Sequence, residues 1–149
     1  MEETNLFKLI NEWLKQYEPI GSWLYFNSTP VELGTTSMNT LPSSQTKNYI
    51  DGSKDVILLF TINMVKSYDE GTSDINMDAL DEVCQFTDWI REQNDNLNYP
   101  VFGDNINVTK VEVLSTVPSL AINQTAQLAQ YSFNARLIYK DEREVITNG

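Results

Sequence analysis

KNYIDGSKDVILLFTINMVKS, residues 47–67, sets a turn dipeptide against a long apolar run. Asp51-Gly52 is a strong turn signal, because Gly accepts positive φ without steric cost and Asp tolerates it. Beyond it, Val56, Leu58, Phe60, Ile62 and Met64 occupy every second position. The alternate positions carry Ile57 and Leu59, then Thr61 and Asn63. A period of two with one face wholly apolar predicts a central strand covered by helices on that face. The other face is apolar only at its start, which predicts partial exposure or cover by another subunit. The run is also too short to cross a membrane as a helix, which takes about 20 apolar residues.

Upstream, residues 34–48 (GTTSMNTLPSSQTKN) hold few large apolar groups and read as a long polar loop or arm. Further upstream, Leu6, Ile10, Trp13, Leu14 and Tyr17 form one stripe, which predicts an amphipathic helix over about residues 5–17 with Thr4 as N-cap. Pro19 and Gly21 stop it, and residues 23–26 (WLYF) read as a first strand closed by the turn signal at residues 27–30. Downstream, a polar loop at residues 69–73 precedes a second helix over about residues 77–93. Its main stripe is Ala79, Val83, Phe86 and Ile90, with Leu80, Cys84 and Trp89 beside it. Asp78, Asp81 and Glu82 are expected in its first turns, where carboxylates favour the positive end of the helix dipole.

From about residue 105 two strands are expected. Val111 and Val113 alternate with Lys110 and Glu112, a turn region follows at residues 118–125, and then comes AQLAQYSFNARLIYK. In that last stretch Ala129, Tyr131, Phe133, Ala135, Leu137 and Tyr139 point one way and Gln130, Ser132, Asn134 and Arg136 the other. The expected fold is α+β in the order α-β-β-α-β-β. It has a mainly antiparallel sheet of four to five strands and two helices packed on one face. Residues 1–149 form a single domain, with no repeat or linker dividing them.

Composition narrows the chemistry. The net charge of −11 and ten basic residues spread along the chain argue against phosphate binding, since nucleic-acid affinity comes mainly from Lys and Arg. One cysteine excludes an internal disulfide, and with no histidine the usual zinc and haem sets are missing; Cys84 reads as a buried structural thiol. The N-terminus is acidic with spaced apolar residues, so no targeting segment is visible, and the chain is expected in the cytosol where it is made. The spacing of Asp78, Asp81 and Glu82 could hold a hard cation, although carboxylates on a solvated helix start are far commoner. The loop from Asp51 copies the odd-position oxygens of a calcium loop but has Val56 and Ile62 where Gly and Glu are required. No nucleophile has a histidine base, and no Gly-rich phosphate cradle appears. The aromatic residues Trp13, Trp23, Tyr25, Phe26, Tyr49 and Phe60 read chiefly as core.

What remains is surface. The candidate subunit or partner contacts are Thr35, Thr36, Met38, Leu41, Tyr49, Ile50, Ile57 and Leu59, with Asp51 and Gly52 as the structural turn. No catalytic, cofactor or metal residue is assigned.

Three segments together resemble a known family. They are Tyr49-Ile50-Asp51-Gly52-Ser53 with the strand after it, the helix face Phe86-Thr87-Asp88-Trp89-Ile90, and the closing strand from Ala129 to Tyr139. The chain resembles, over nearly its whole length, the small minor capsid or tail terminator proteins of long-tailed phages of Gram-positive hosts. VLSTVPSL, residues 113–120, fits the short Pro-containing turn that such proteins carry between the last two strands. The resemblance implies a structural virion protein, assembled in the host cytoplasm as a homo-oligomeric ring, commonly a hexamer. The ring would cap the tail tube at its head-proximal end and face a head-completion or connector protein. It implies no catalysis, no cofactor and no membrane, and DNA passing through the lumen without specific binding. An acidic inner rim would serve that passage by repelling phosphates. A head-completion (stopper) subunit or a tail-tube subunit would show the same features. A rival of another class is a metal-dependent hydrolase built on Asp78, Asp81 and Glu82.

Overall fold

The computed structural model describes residues 3–20, 24–28, 30–42, 45–71 and 73–145. Two helices, α1 (Glu3–Leu14) and α2 (Ser73–Asp95), accompany seven strands: β1 (Tyr25–Phe26), β2 (Thr36–Thr40), β3 (Gln45–Asn48), β4 (Lys54–Ser67), β5 (Ile106–Val113), β6 (Ser119–Asn123) and β7 (Leu128–Asp141). The fold is α+β with a mixed, mostly antiparallel seven-strand sheet. Among the described residues, only the short β1–β2 pair is parallel.

Two 14-residue strands, β4 and β7, make the spine of the sheet, paired without interruption from Lys54↔Asp141 to Ser67↔Leu128. Each is flanked on its outer edge by two short strands placed end to end. β3 and β2 follow β4, and β5 and β6 follow β7. Both edges break where the sequence inserts a Pro-containing stretch, Leu41-Pro42 on one side and residues 114–118 on the other. Proline cannot donate to a ladder, so an edge is where it is tolerated.

The even-numbered side chains of β4 from Val56 to Met64 and the odd-numbered ones of β7 from Ala129 to Tyr139 are all buried. They join Leu6, Ile10, Trp13 and Leu14 of α1 and Ala79, Val83, Phe86 and Ile90 of α2 in one apolar cluster. Aromatic contacts tie the helices together: Trp13 lies 5.3 Å from Trp89, and Tyr17 stacks on Phe86 at 4.7 Å. Phe86 in turn meets the edge of Phe133 from β7.

Several expectations give way here. The polar arm at residues 34–48 is largely strand, because Thr36, Met38 and Thr40 alternate inward against Met64, Ile62 and Phe60. The β-branched threonines suit that pleat, and the backbone ladder to β4 satisfies the polar groups. The turn region at residues 118–125 likewise contains β6. The first helix ends at Leu14 and a 3-10 turn, Glu18–Ile20, follows it. The expected first strand shrinks to Tyr25–Phe26, and Trp23, Gly21 and Thr29 lie outside the described residues, as does the side chain of Thr4.

The second helix starts four residues earlier than expected, at Ser73, which puts Asp74 in its first turn. Asp78, Asp81 and Glu82 therefore lie beyond the turn in which the dipole is felt. The same helix ends in a Schellman arrangement. Asn98 N–H reaches Gln93 O at 2.9 Å, Leu97 N–H reaches Asn94 O at 3.2 Å, and Leu97 takes a φ of 57°. Glycine usually holds that position. Trp13 Nε1 donates to Asn98 O at 3.0 Å, so the cap is also fastened to α1. Cys84 is half-buried rather than fully enclosed. Among the described residues, no helix is long and apolar enough to cross a membrane.

Candidate assembly interface

The odd-numbered residues of β4 and the even-numbered residues of β7 form the sheet face away from the helices, and its two halves differ. In the half near the β4 C-terminus, Thr61 Oγ1 donates to Asn134 Oδ1 at 2.7 Å, while Ser132 Oγ and Gln130 Nε2 both donate to Asn63 Oδ1. Val65 beyond them is buried, and its backbone is paired with Thr35 and Gly34 of the preceding loop. That half presents polar side chains tied to one another, with Asn134 exposed, Thr61, Ser132 and Gln130 half-exposed, and Asn63 and Val65 buried.

The other half is equally open but apolar at its centre. Ile57 pairs with Ile138 and Leu59 with Arg136, and Ile57, Leu59 and Ile138 are all half-exposed. Cations surround them. Across β3, β4 and β7 run Lys47, Asp55 and Lys140, while on β5 Lys110 lies opposite Ile138 and Glu112 opposite Arg136. Glu112 is shared by Lys110, at 3.1 Å, and Arg136. Burial alone would raise the Glu112 carboxyl, but hydrogen bonds from Lys110 and Arg136 hold it below its ordinary value. Four cations against two carboxylates give this face a positive excess in a chain of net charge −11. The basic residues that look scattered in sequence are therefore gathered by the β-ladder into a patch.

The quoted turn borders this face. Residues 49–53 connect β3 to β4, closed by Tyr49 N–H to Ser53 O at 2.9 Å and Gly52 N–H to Tyr49 O at 3.1 Å. Asp51 Oδ1 accepts from the Ser53 hydroxyl at 2.6 Å and the Ser53 amide at 2.9 Å. Those bonds hold the Asp51 carboxyl below its ordinary value. Gly52 has φ +91°, and a β-carbon on it would collide with the carbonyl oxygen of Glu144. That C-terminal segment is itself fixed by Asp141, whose carboxylate takes Arg143 Nη2 at 2.7 Å and Arg143 Nε at 3.0 Å. The Arg143 hydrogen bond lowers the Asp141 pKa to about 2. Tyr49 folds back so that its hydroxyl donates to Asp55 at 2.6 Å and its ring lies 5.4 Å from Lys47 Nζ and 5.8 Å from Lys140 Nζ. The bond to Asp55 raises the Tyr49 pKa. Ile50, at the tip, is 101% exposed.

The expected contact residues divide accordingly. Tyr49, Ile50, Ile57 and Leu59 come together on or beside the apolar half. Thr36 and Met38 do not, because they point into the core and are buried. Thr35 is half-buried, its hydroxyl donating to Glu32 O at 2.8 Å and Pro30 O at 3.1 Å. Leu41 is half-buried with its amide on Leu59 O. Sequence reasoning missed Lys47, Lys110, Arg136, Lys140 and Ile138 as members of one surface. Ile138 was the available signal, an apolar residue beyond the polar run Gln130, Ser132, Asn134 and Arg136 on that side of β7.

The carboxylates of α2 were the alternative site. Glu82 is bound by Lys66 at 2.7 Å and Asp81 accepts from Gln85 at 2.9 Å. Among the described residues, no three acidic, histidine or cysteine side chains converge to hold a metal. The chain matches no protein-family model and no curated protein in sequence.

Proposed function

We propose that this chain is a ring-forming tail terminator of a long-tailed phage, capping the tail tube at its head-proximal end and forming the surface that joins tail to head. The observation that carries this reading is the open window of Ile57, Leu59 and Ile138. It is an apolar cluster on a sheet face whose other half carries polar side chains hydrogen-bonded to one another. Half-exposed branched side chains in register on neighbouring strands cost solvation unless something covers them. A copy of the same chain would supply that cover. The resemblance of the hairpin, the α2 face and the closing strand to tail terminators adds the rest. It names the tail-tube protein on one side of a ring, commonly a hexamer in that family, and the head-completion protein on the other.

DNA would pass through such a ring without specific binding, since a chain at −11 repels phosphates overall. The first test is mass. The purified protein should scatter light as a particle several times 17.1 kDa and appear as closed rings by electron microscopy. A persistent monomer at high concentration would contradict the ring, and open self-assembled tubes would instead indicate a tail-tube subunit.

A further inference from the structure

We infer that the apolar half of the sheet face docks onto α2 of a second copy, so that each subunit offers its basic sheet to one neighbour and its acidic helix to the other. This inference rests on the ring reading and names the two surfaces that would build it.

The occupant is argued from charge and from apolar content. α2 carries seven carboxylates and one Arg. Six of those carboxylates, Asp74, Asp78, Asp81, Asp88, Glu92 and Asp95, recur at alternating spacings of three and four, with Gln85 filling the remaining place, and all are exposed. That spacing lays them along one side of the helix. Near its start the same helix exposes Met77 at 66% and Leu80 at 36%. The sheet window offers the converse: a small apolar centre with Lys47, Lys110, Arg136 and Lys140 around it. Nucleic acid fits this window poorly, because Asp55 and Glu112 are interleaved among its cations and would face phosphates. A helix bearing spaced carboxylates and a few apolar groups can set each against its complement.

The two patches are different surfaces of one subunit. A contact between them is heterologous, and such contacts propagate around a closed ring or along a filament. Isologous pairing of two sheet windows would instead bring like charges together.

Charge exchange tests this. In one variant Lys110→Glu and Lys140→Glu reverse the sheet; in the other Asp81→Lys and Glu92→Lys reverse the helix. Each is checked for cooperative thermal unfolding, and light scattering is then recorded for wild type, for each variant and for a 1:1 mixture. The expected result is an oligomer for wild type, a monomer for each variant alone, and restored oligomers with an even number of subunits in the mixture, where every junction again joins opposite charges. Restoration also shows that neither variant failed merely by misfolding. An oligomeric wild type whose folded variants assemble as well as it does, or whose mixture stays monomeric, overturns this contact and leaves the ring standing. A monomeric wild type overturns the ring itself.

Discussion

Phe86→Ala is expected to destabilise the protein by about 3–5 kcal/mol, the usual cost of removing a buried aromatic ring. Phe86 has no exposed surface. Its ring lies parallel to Tyr17 with centroids 4.7 Å apart, meets Phe133 edge-on at 5.9 Å and touches Trp89 at 6.2 Å. It is thus the point at which the segment after α1, the middle of α2 and the β7 strand all meet. Truncation loses the transfer free energy of the ring and the aromatic pairings, each worth about 0.5–1.5 kcal/mol beyond area. It also leaves a cavity that three separate elements would have to collapse to fill. Urea unfolding of the variant should show a midpoint shift at unchanged slope, and the Tm should fall by roughly 10 °C, given about 2–4 °C per kcal/mol at this size. A loss below about 1 kcal/mol would mean that the helices are not fastened to the sheet through this ring.

Gly52→Ala should also be costly, for two separable reasons. The backbone there has φ +91°, where a side chain adds strain of about 1–3 kcal/mol. A β-carbon would in addition run into the Glu144 carbonyl, which the Asp141–Arg143 pairing and the bond from Glu142 N–H to Asn105 O hold in place. Asparagine tolerates positive φ better than alanine does. If conformation were the whole cost, Gly52→Asn would recover most of the stability. Because both residues carry the colliding carbon, the asparagine variant is expected to remain well below wild type in urea unfolding. An asparagine variant within about 0.5 kcal/mol of wild type, the range of a neutral surface substitution, would show that the hairpin does not pack on the C-terminal segment.

These two positions also mark what could be read in advance. The alternation in residues 56–64 and 129–139 displayed the spine of the sheet, because a strand buried on one face must place apolar groups at a period of two. The stripe Ala79, Val83, Phe86, Ile90 did the same for α2, and all four are buried. β2 escaped because a strand beside the spine is held by its backbone ladder, and TSMNT buries a single large apolar side chain, Met38. β6 escaped because none of its residues is buried. The helix end at Asp95 was obscured by a leucine in the place where glycine ordinarily marks a cap.

For the candidate surface, Ile57, Leu59 and the Asp51-Gly52 turn were visible as a pattern within one segment. The cations were not, since Lys47, Lys110, Arg136 and Lys140 are brought together only by pairing across four strands. Charge summed along a chain is blind to such gathering. The acidic balance of this protein conceals a basic face.

Tube length is the measurement that bears most directly on the central claim. Tail-tube subunits are allowed to polymerise with increasing amounts of the protein, and the length distribution is read by electron microscopy. A terminator should shorten the tubes in proportion to the amount added and leave a ring at one end of each. Tubes of unchanged length with bare ends, or tubes into which the protein is incorporated along their length, would contradict it.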